Sequence, residues 1–429
     1  MRRILRENAL CALMAAVGCA TVGWLSLYGF AWNDYEAEAR PAFSALAHGH
    51  LLAFLRLAPA YGGSLILRAP FALIPNLWGG GELAVYRTTA LPGLLAVGAI
   101  GIYLVAHMRA SGRPLLWRAV ALGVCVANPI SVRALELGHP EELLGAALCL
   151  ACVMLAAADR PLLAGLLLGA AVANKEWAVL TLGPALLALP SRRPLLLLSA
   201  TAMAGALTAP MLLVGSDSFL SSVRGVASPS SEIFQPMQVF WFLGHHSPLA
   251  GKLLGVEKHD FRLAPAWIGR VSHPLVVAIA LPLTWVTWRT RRNGRSQQGR
   301  RPPGGAVTSR ADALLLLALL LLLRCMLDTW DNVYYPLPFI LALLAWEVEL
   351  PRPAALALAS SVLVWANAQL SLHTSADAQA VFFLAWSLPL TAWLGTSLFL
   401  PGLPALARRL GRPRARARPA TINAVETSP

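Results

Sequence analysis

The sequence predicts an all-α, polytopic membrane protein of about twelve transmembrane helices, within a range of ten to thirteen. Three observations carry that expectation. Hydrophobic residues make up 57% of the 429-residue chain and charged residues only 13%, against about 25% charged in a soluble domain. The apolar residues gather into runs long enough to cross a hydrocarbon core, which takes roughly 17–25 residues. The basic residues gather instead into alternate connections between those runs.

In chain order the runs cover 9–31, 86–107, 115–135, 141–158, 161–174, 177–190, 195–215, 273–288, 311–327, 335–350, 353–372 and 378–400. The first is too long for the apolar core of a signal peptide and no small-x-small cleavage site follows it, so an uncleaved helix is expected. The fifth and sixth are short and meet at Asn174-Lys175-Glu176, as two helices or as one broken hairpin. Residues 1–410 form a single transmembrane domain in this reading. Two of its outer segments, 32–85 and 216–272, exceed the length of plain connectors. The first reads as amphipathic helices lying on the membrane, with Arg56 and Arg68 snorkelling towards headgroups. The second mixes Phe234, Phe240, Trp241, Phe242, His245, His246 and Trp267, a composition suited to the lipid–water interface. The inner loop 289–310 and the tail 411–429 are rich in Arg, Gly and Pro and are expected to be disordered, as topology determinants or as anchors to anionic lipid. All six cysteines fall in or beside the runs, which indicates apolar packing and no disulfide framework.

Threading the chain from a cytoplasmic N-terminus places 23 of the 35 basic and 6 of the 21 acidic residues inside. The formal charge of +14 is therefore a topology signal, with both termini cytoplasmic, and does not mark a nucleic-acid binder.

Four polar clusters interrupt this apolar background on the outer side. Directly after the first run, Asp34, Glu36 and Glu38 place three carboxylates in five residues. A helix starting there would give Asn33 an N-cap role with Glu36 reaching back to it, and would set Asp34 and Glu38 on one face. A carboxylate beside an apolar surface becomes a better base at neutral pH; a solvated helix start is the alternative. The turn Gly138-His139-Pro140-Glu141-Glu142 presents a histidine and two glutamates that could bind a cation or a polar headgroup, or cap a helix. Lys175 and Glu176 lie at membrane depth, where charges are costly unless paired or facing a cavity. Lys175 suits a phosphate, and the neighbouring Trp177 suits either a sugar face or the membrane interface. The segment from Arg324 to Pro336 holds Asp328, Asp331 and Tyr334, with Arg324 spaced to neutralise Asp328. The pair His245-His246 is a weaker candidate, since adjacent histidines rarely share a metal.

The order of these clusters, with the segment HPEELLGAALCLACVMLAAADRPLLAGLLLGAAVANKEWAVL, resembles the GT-C superfamily of integral-membrane glycosyltransferases. Within it the likeness is to bacterial polyprenyl-phosphomannose-dependent mannosyltransferase-like proteins. It spans residues 30–190 or so and weakens beyond, and His139 stands where those relatives carry a glutamine. The resemblance implies inverting transfer of a sugar, mannose-like or another pentose or hexose, from a polyprenyl-phosphate donor to a glycan, glycolipid or protein acceptor. The reaction would take place on the extracytoplasmic face of the cell membrane. Asp34 matches the general base, Lys175 the cation that steadies the leaving phosphate, and the remaining cluster residues the substrate site. No cofactor is required by this reading, which leaves a divalent cation open. A secondary transporter or lipid flippase is the alternative, but such a protein should show related halves, and neither the Asp34 nor the Lys175 motif recurs.

Overall fold

The described residues of each of the twelve apolar runs are mainly helical in the computed structural model, which describes residues 2–28, 34–227, 235–247, 261–296, 309–370 and 373–400. The expected cap at Asn33, the interfacial Phe234, most of the inner loop and the tail lie outside the described residues. The helices are α1 (Arg2–Tyr28), α2 (Arg40–Ala47), α3 (Leu51–Arg56), α4 (Gly62–Ala72), α5 (Glu82–Ala110), α6 (Leu115–Val126), α7 (Pro129–Glu136) and α8 (Pro140–Ala157). They continue with α9 (Pro161–Asn174), α10 (Leu182–Ala188), α11 (Arg193–Ala227), α12 (Ala266–Ser296), α13 (Arg310–Leu327), α14 (Leu337–Glu349), α15 (Ala355–Leu370) and α16 (Ala376–Phe399). A two-residue hairpin pairs His245–His246 (β1) antiparallel with Arg262–Leu263 (β2).

Among the described residues, seven helical stretches are long and apolar enough to cross a membrane: Asn8–Ser26, Glu82–Ala110, Leu115–Glu136, Pro140–Ala157, Arg193–Gly215, Ala266–Arg291 and Ala376–Phe399. The other runs are shorter helices, or, in α13, a helix carrying Arg310, Asp312 and Arg324. The third run breaks because Pro129 cannot continue α6. Asn128 restarts the chain by accepting the Ile130 amide at 3.0 Å, a side-chain N-cap. The fifth and sixth runs are separate helices: Lys175 is extended (φ −154°), and a 3₁₀ turn at Glu176–Thr181 leads into α10.

Ion pairs mark one end of the bundle and the polar clusters the other. At one end Arg192 pairs with Asp159 (3.2 Å), Arg291 with Asp312 (2.7 Å) and Arg310 with Glu349 (3.0 Å). The other end holds the sequence-singled clusters and α2 to α4, and is called the site end below. α8 runs through the centre, flanked by α5, α9, α13 and α14. α13 buries every residue from Ala313 to Leu322, the expected fate of a leucine run facing helices on all sides.

Glycines set the closest approaches. Gly165 and Gly169, four apart on α9, face the Leu196 and Ala200 carbonyls of α11, where a methyl group would collide. This is the small-xxx-small packing of membrane helices. Gly93 of α5 lies so near α8 that a β-carbon there would sit 2.8 Å from the Pro140 carbonyl.

Two expectations for the outer segments are overturned. Arg68 does not snorkel: it is 1% exposed and pairs with Glu141 at 3.4 Å, because α4 packs inward against α5 and α9. Trp241 is fully buried, its indole nitrogen donating to Asp377 at 2.6 Å, while Phe242 and Trp267 are exposed.

Candidate functional site

Asp34 begins the polar cluster. The residues after it, Tyr35–Ala39, form a π-helical turn, and no side chain caps its start. The capping role expected of Glu36 is replaced by an ion pair to Arg40 at 2.5 Å, which turns Glu36 away from the cluster. Arg40 also reaches Glu82 at 2.9 Å. Tyr35 packs edge-on to Tyr86 and against Gly138, whose φ of +91° and missing side chain admit it; a β-carbon there would lie 2.8 Å from that of Tyr35.

That approach brings Asp34 to His139, 105 residues away in sequence. His139 Nε2 lies 3.1 Å from Asp34 Oδ2, and Nδ1 lies 2.8 Å from Glu141 Oε1. The ring also stacks on Tyr334, with centroids 4.7 Å apart. Burial disfavours the charged imidazole, but its hydrogen bonds to Asp34 and Glu141 outweigh burial and raise its pKa to about 9. Asp34 is 43% exposed at its side chain, against 1% for Glu141.

Glu141 and Glu142 are buried in the first turn of α8. Lys175 Nζ lies 3.4 Å from Glu141 and 3.8 Å from Glu142. Arg68 completes the set around Glu141, and Asn174 donates to the Glu141 carbonyl at 2.9 Å. Buried charges persist only in such company, since leaving one unpaired costs about 3–5 kcal/mol. The same ammonium sits 4.2 Å from the centre of the Tyr61 ring, and the Tyr61 hydroxyl donates to Glu38.

The fourth cluster meets the other three through aromatic rings. Tyr334 contacts Tyr335 (5.3 Å between centroids), and the Arg324 guanidinium lies over Tyr335 at 4.2 Å and over Trp177 at 4.8 Å. Trp177 is thus buried beneath Arg324 and is not at the membrane interface. The expected neutralisation of Asp328 by Arg324 is shared with His273, whose Nε2 lies 3.3 Å from Asp328. Burial raises the Asp328 pKa, but the bond to His273 and its charge lower it below the usual carboxylate range. Asp331 is fully buried with both oxygens unpartnered, and burial with the nearby Asp328 charge pushes its pKa well above the usual carboxylate range.

Beside this cluster lies a largely apolar cavity of about 300 Å³. Trp177, Leu180, Pro274 and Val276 line it, and Glu176, His273, Arg324 and Asp328 supply its polar groups. Val179, Val223 and Val277 on its wall are exposed, so it opens towards the lipid-facing flank of the bundle. His245 and His246 stand apart: His246 lies 3.4 Å from Asp377, which also accepts two bonds from Arg262. Among the described residues, no group of three or more His, Cys, Asp or Glu side chains is placed to hold a metal ion.

Asp34, Glu38, His139, Glu141, Glu142, Lys175, Trp177, Asp328 and Tyr334 therefore belong to one contiguous network, while Glu36 and Asp331 stand outside it. Sequence reasoning missed Tyr61, Arg68 and His273 as members. Tyr61 precedes Gly62-Gly63, a pair that signals close packing; Gly63 faces the Ala173 carbonyl. Arg68 and His273 carried no local signal, since their partners lie 73 and 55 residues away.

Comparison with known proteins gives the cluster its context. No curated protein matches the chain. The sequence model of glycosyltransferase family 87 matches residues 63–322, a stretch holding the Gly138–Glu142 turn, Lys175, His273 and most of the bundle. The chain belongs to glycosyltransferase family 87, and the polytopic helical bundle described above is a membrane glycosyltransferase.

Proposed function

We propose that the protein transfers a sugar from a polyprenyl-phosphate donor to an acceptor hydroxyl with inversion, using Asp34 as general base on the extracytoplasmic side of the cell membrane. The observation that carries this reading is the placement of Asp34. It is a solvent-reachable carboxylate of the network, held at one oxygen by buried His139, and rings of Tyr334 and Tyr335 connect it to Arg324 at the cavity.

The chemistry follows from these positions. A polyprenyl chain is apolar and enters from the bilayer, which suits a cavity open on the lipid side. Its phosphate needs a cation where that cavity turns polar. Lys175 was the sequence candidate, but Arg324 lines this cavity and Lys175 does not. We therefore assign the phosphate to Arg324, with His273 beside it. The acceptor oxygen attacks the anomeric carbon opposite the phosphate, and its proton passes to Asp34. The anomeric C–O bond breaks with its electron pair leaving on the polyprenyl phosphate, whose charge Arg324 stabilises. The clustering of Arg109, Arg113, Arg118, Arg192 and Arg310 at the opposite end of the bundle supports a cytoplasmic location for that end, by retention of basic residues.

The test is sugar release from a radiolabelled polyprenyl-phosphate sugar by purified protein in nanodiscs. Asp34→Asn is expected to lower turnover by about 10²-fold or more, the scale of a lost general base, while still accumulating in the membrane. Full activity in that variant would remove Asp34 as the base.

A further inference from the structure

A second cavity, of about 340 Å³, lies beside the π-turn. One wall is a single face of α2, with Arg40, Ser44, Ala47 and His48 at helical spacing; the other is the stretch from Asn76 through Gly80 and Gly81 to Glu82 and Val85. Its wall begins at Tyr35, the residue after Asp34. Its volume falls within the range of small-molecule sites, roughly 300–1,000 Å³.

The lining groups specify a ligand chemistry. Arg40 lies between Glu36 at 2.5 Å and Glu82 at 2.9 Å, so the cavity offers hydrogen-bonding groups without a net positive charge, a poor host for an anion. His48 uses Nδ1 on the Ser44 carbonyl at 2.7 Å, leaving Nε2 for another partner. Asn76 uses its amide nitrogen on the Ala47 carbonyl at 2.9 Å, leaving its carbonyl oxygen. With Nδ1 donating, Nε2 accepts, as does the Asn76 oxygen, so acceptors for a ligand's hydroxyls stand on both walls, with the Ser44 hydroxyl between them. Next to Gly80 of the lining, the indole nitrogen of Trp78 lies 2.8 Å from where a β-carbon of that glycine would be, and Trp78 is 60% exposed. An exposed aromatic face beside hydrogen-bond acceptors fits a pyranose, with its apolar face and its hydroxyl edge donating to them.

We propose that this cavity is an acceptor subsite, binding a neutral glycosyl unit of the acceptor away from the hydroxyl that reacts at Asp34. The assignment rests on the glycosyltransferase reading above.

Saturation-transfer NMR on the full-length protein in phosphatidylcholine nanodiscs tests it, with methyl α-mannopyranoside, methyl α-glucopyranoside and methyl α-galactopyranoside as probes. At least one should receive saturation. Binding should weaken about tenfold in Trp78→Ala and in the double variant His48→Ala/Asn76→Ala, the factor for about 1.4 kcal/mol. All three side chains are exposed, so folding is not at stake. Inorganic phosphate should not displace the sugar. In turnover assays the same variants should raise KM for the acceptor and leave kcat and the donor KM unchanged. No saturation of any probe, equal saturation in these variants, or displacement by phosphate would each overturn the proposal. Because binding is read without turnover, repeating it on Asp34→Asn separates the two readings: that variant should lose transfer and keep the sugar.

Discussion

His139 decides how Asp34 is presented. With both ring nitrogens engaged between carboxylates, it is an imidazolium at neutral pH, and each nitrogen donates a proton outward. Its folded pKa, about 9, lies above the ordinary histidine value of 6.5. The sign of the linkage follows: the stabilisation it provides is complete below about pH 6.5 and is lost as pH rises through about 9. Turnover of the wild type should therefore fall on the alkaline side with a midpoint near 9. His139→Gln keeps a donor towards Asp34 but cannot titrate, so its activity should be flat across that range. A pH series of kcat on both proteins checks this, and an unchanged alkaline limb in the variant would remove His139 as its source. Arg68 teaches a complementary lesson: an arginine on an amphipathic run reads the same whether it faces headgroups or a buried carboxylate, and only the distant Glu141 decides.

At the scale of elements, the site depends on short breaks in helices. The turn at Gly138 admits Tyr35, the extended Lys175 stops α9 at the depth of Glu141, and Asp328 ends α13 beside His273. Each break was legible from glycine, proline or a charge inside an apolar run. The π-turn at Tyr35–Ala39 was not, because its sequence also suits a capped α-helix. Gly138→Ala should carry a double penalty, a strained positive φ and a methyl group against Tyr35. The expected outcome is loss of turnover by more than tenfold with modest loss of thermal stability, read by nanodisc assay and thermal unfolding. Wild-type kcat in that variant would show that the contact does not set the Asp34 position.

For the whole molecule, twelve helical runs and four polar clusters could be read from the sequence because apolar context makes a charge conspicuous. Which clusters touch could not, since that depends on how α1, α8, α9 and α13 pack, and packing in lipid is set by small residues and shape with little periodic signal. The Asp377 hub, gathering Trp241, Arg262 and His246, was invisible for the same reason. The proposed orientation makes a prediction at this scale. In intact cells, His48→Cys should react with a membrane-impermeant maleimide, while Ser111→Cys, at the opposite end, should react only after the cells are opened. The reverse pattern would invert the protein in the membrane.

The burial of Glu141 and Glu142 in the first turn of α8 also bears on how the protein is made. A helix bearing two carboxylates at its start is a poor candidate to settle in lipid alone. Lys175 emerges from the ribosome only 33 residues after Glu142, on the far side of α9, so α8 and α9 are suited to leave the translocon as one charge-neutralised hairpin. Arg68, already inserted, receives it, and Arg324 arrives with α13 to complete the pairing. On this order the polar network would double as a record of assembly, and a chain arrested before α13 would display its buried carboxylates to membrane quality control.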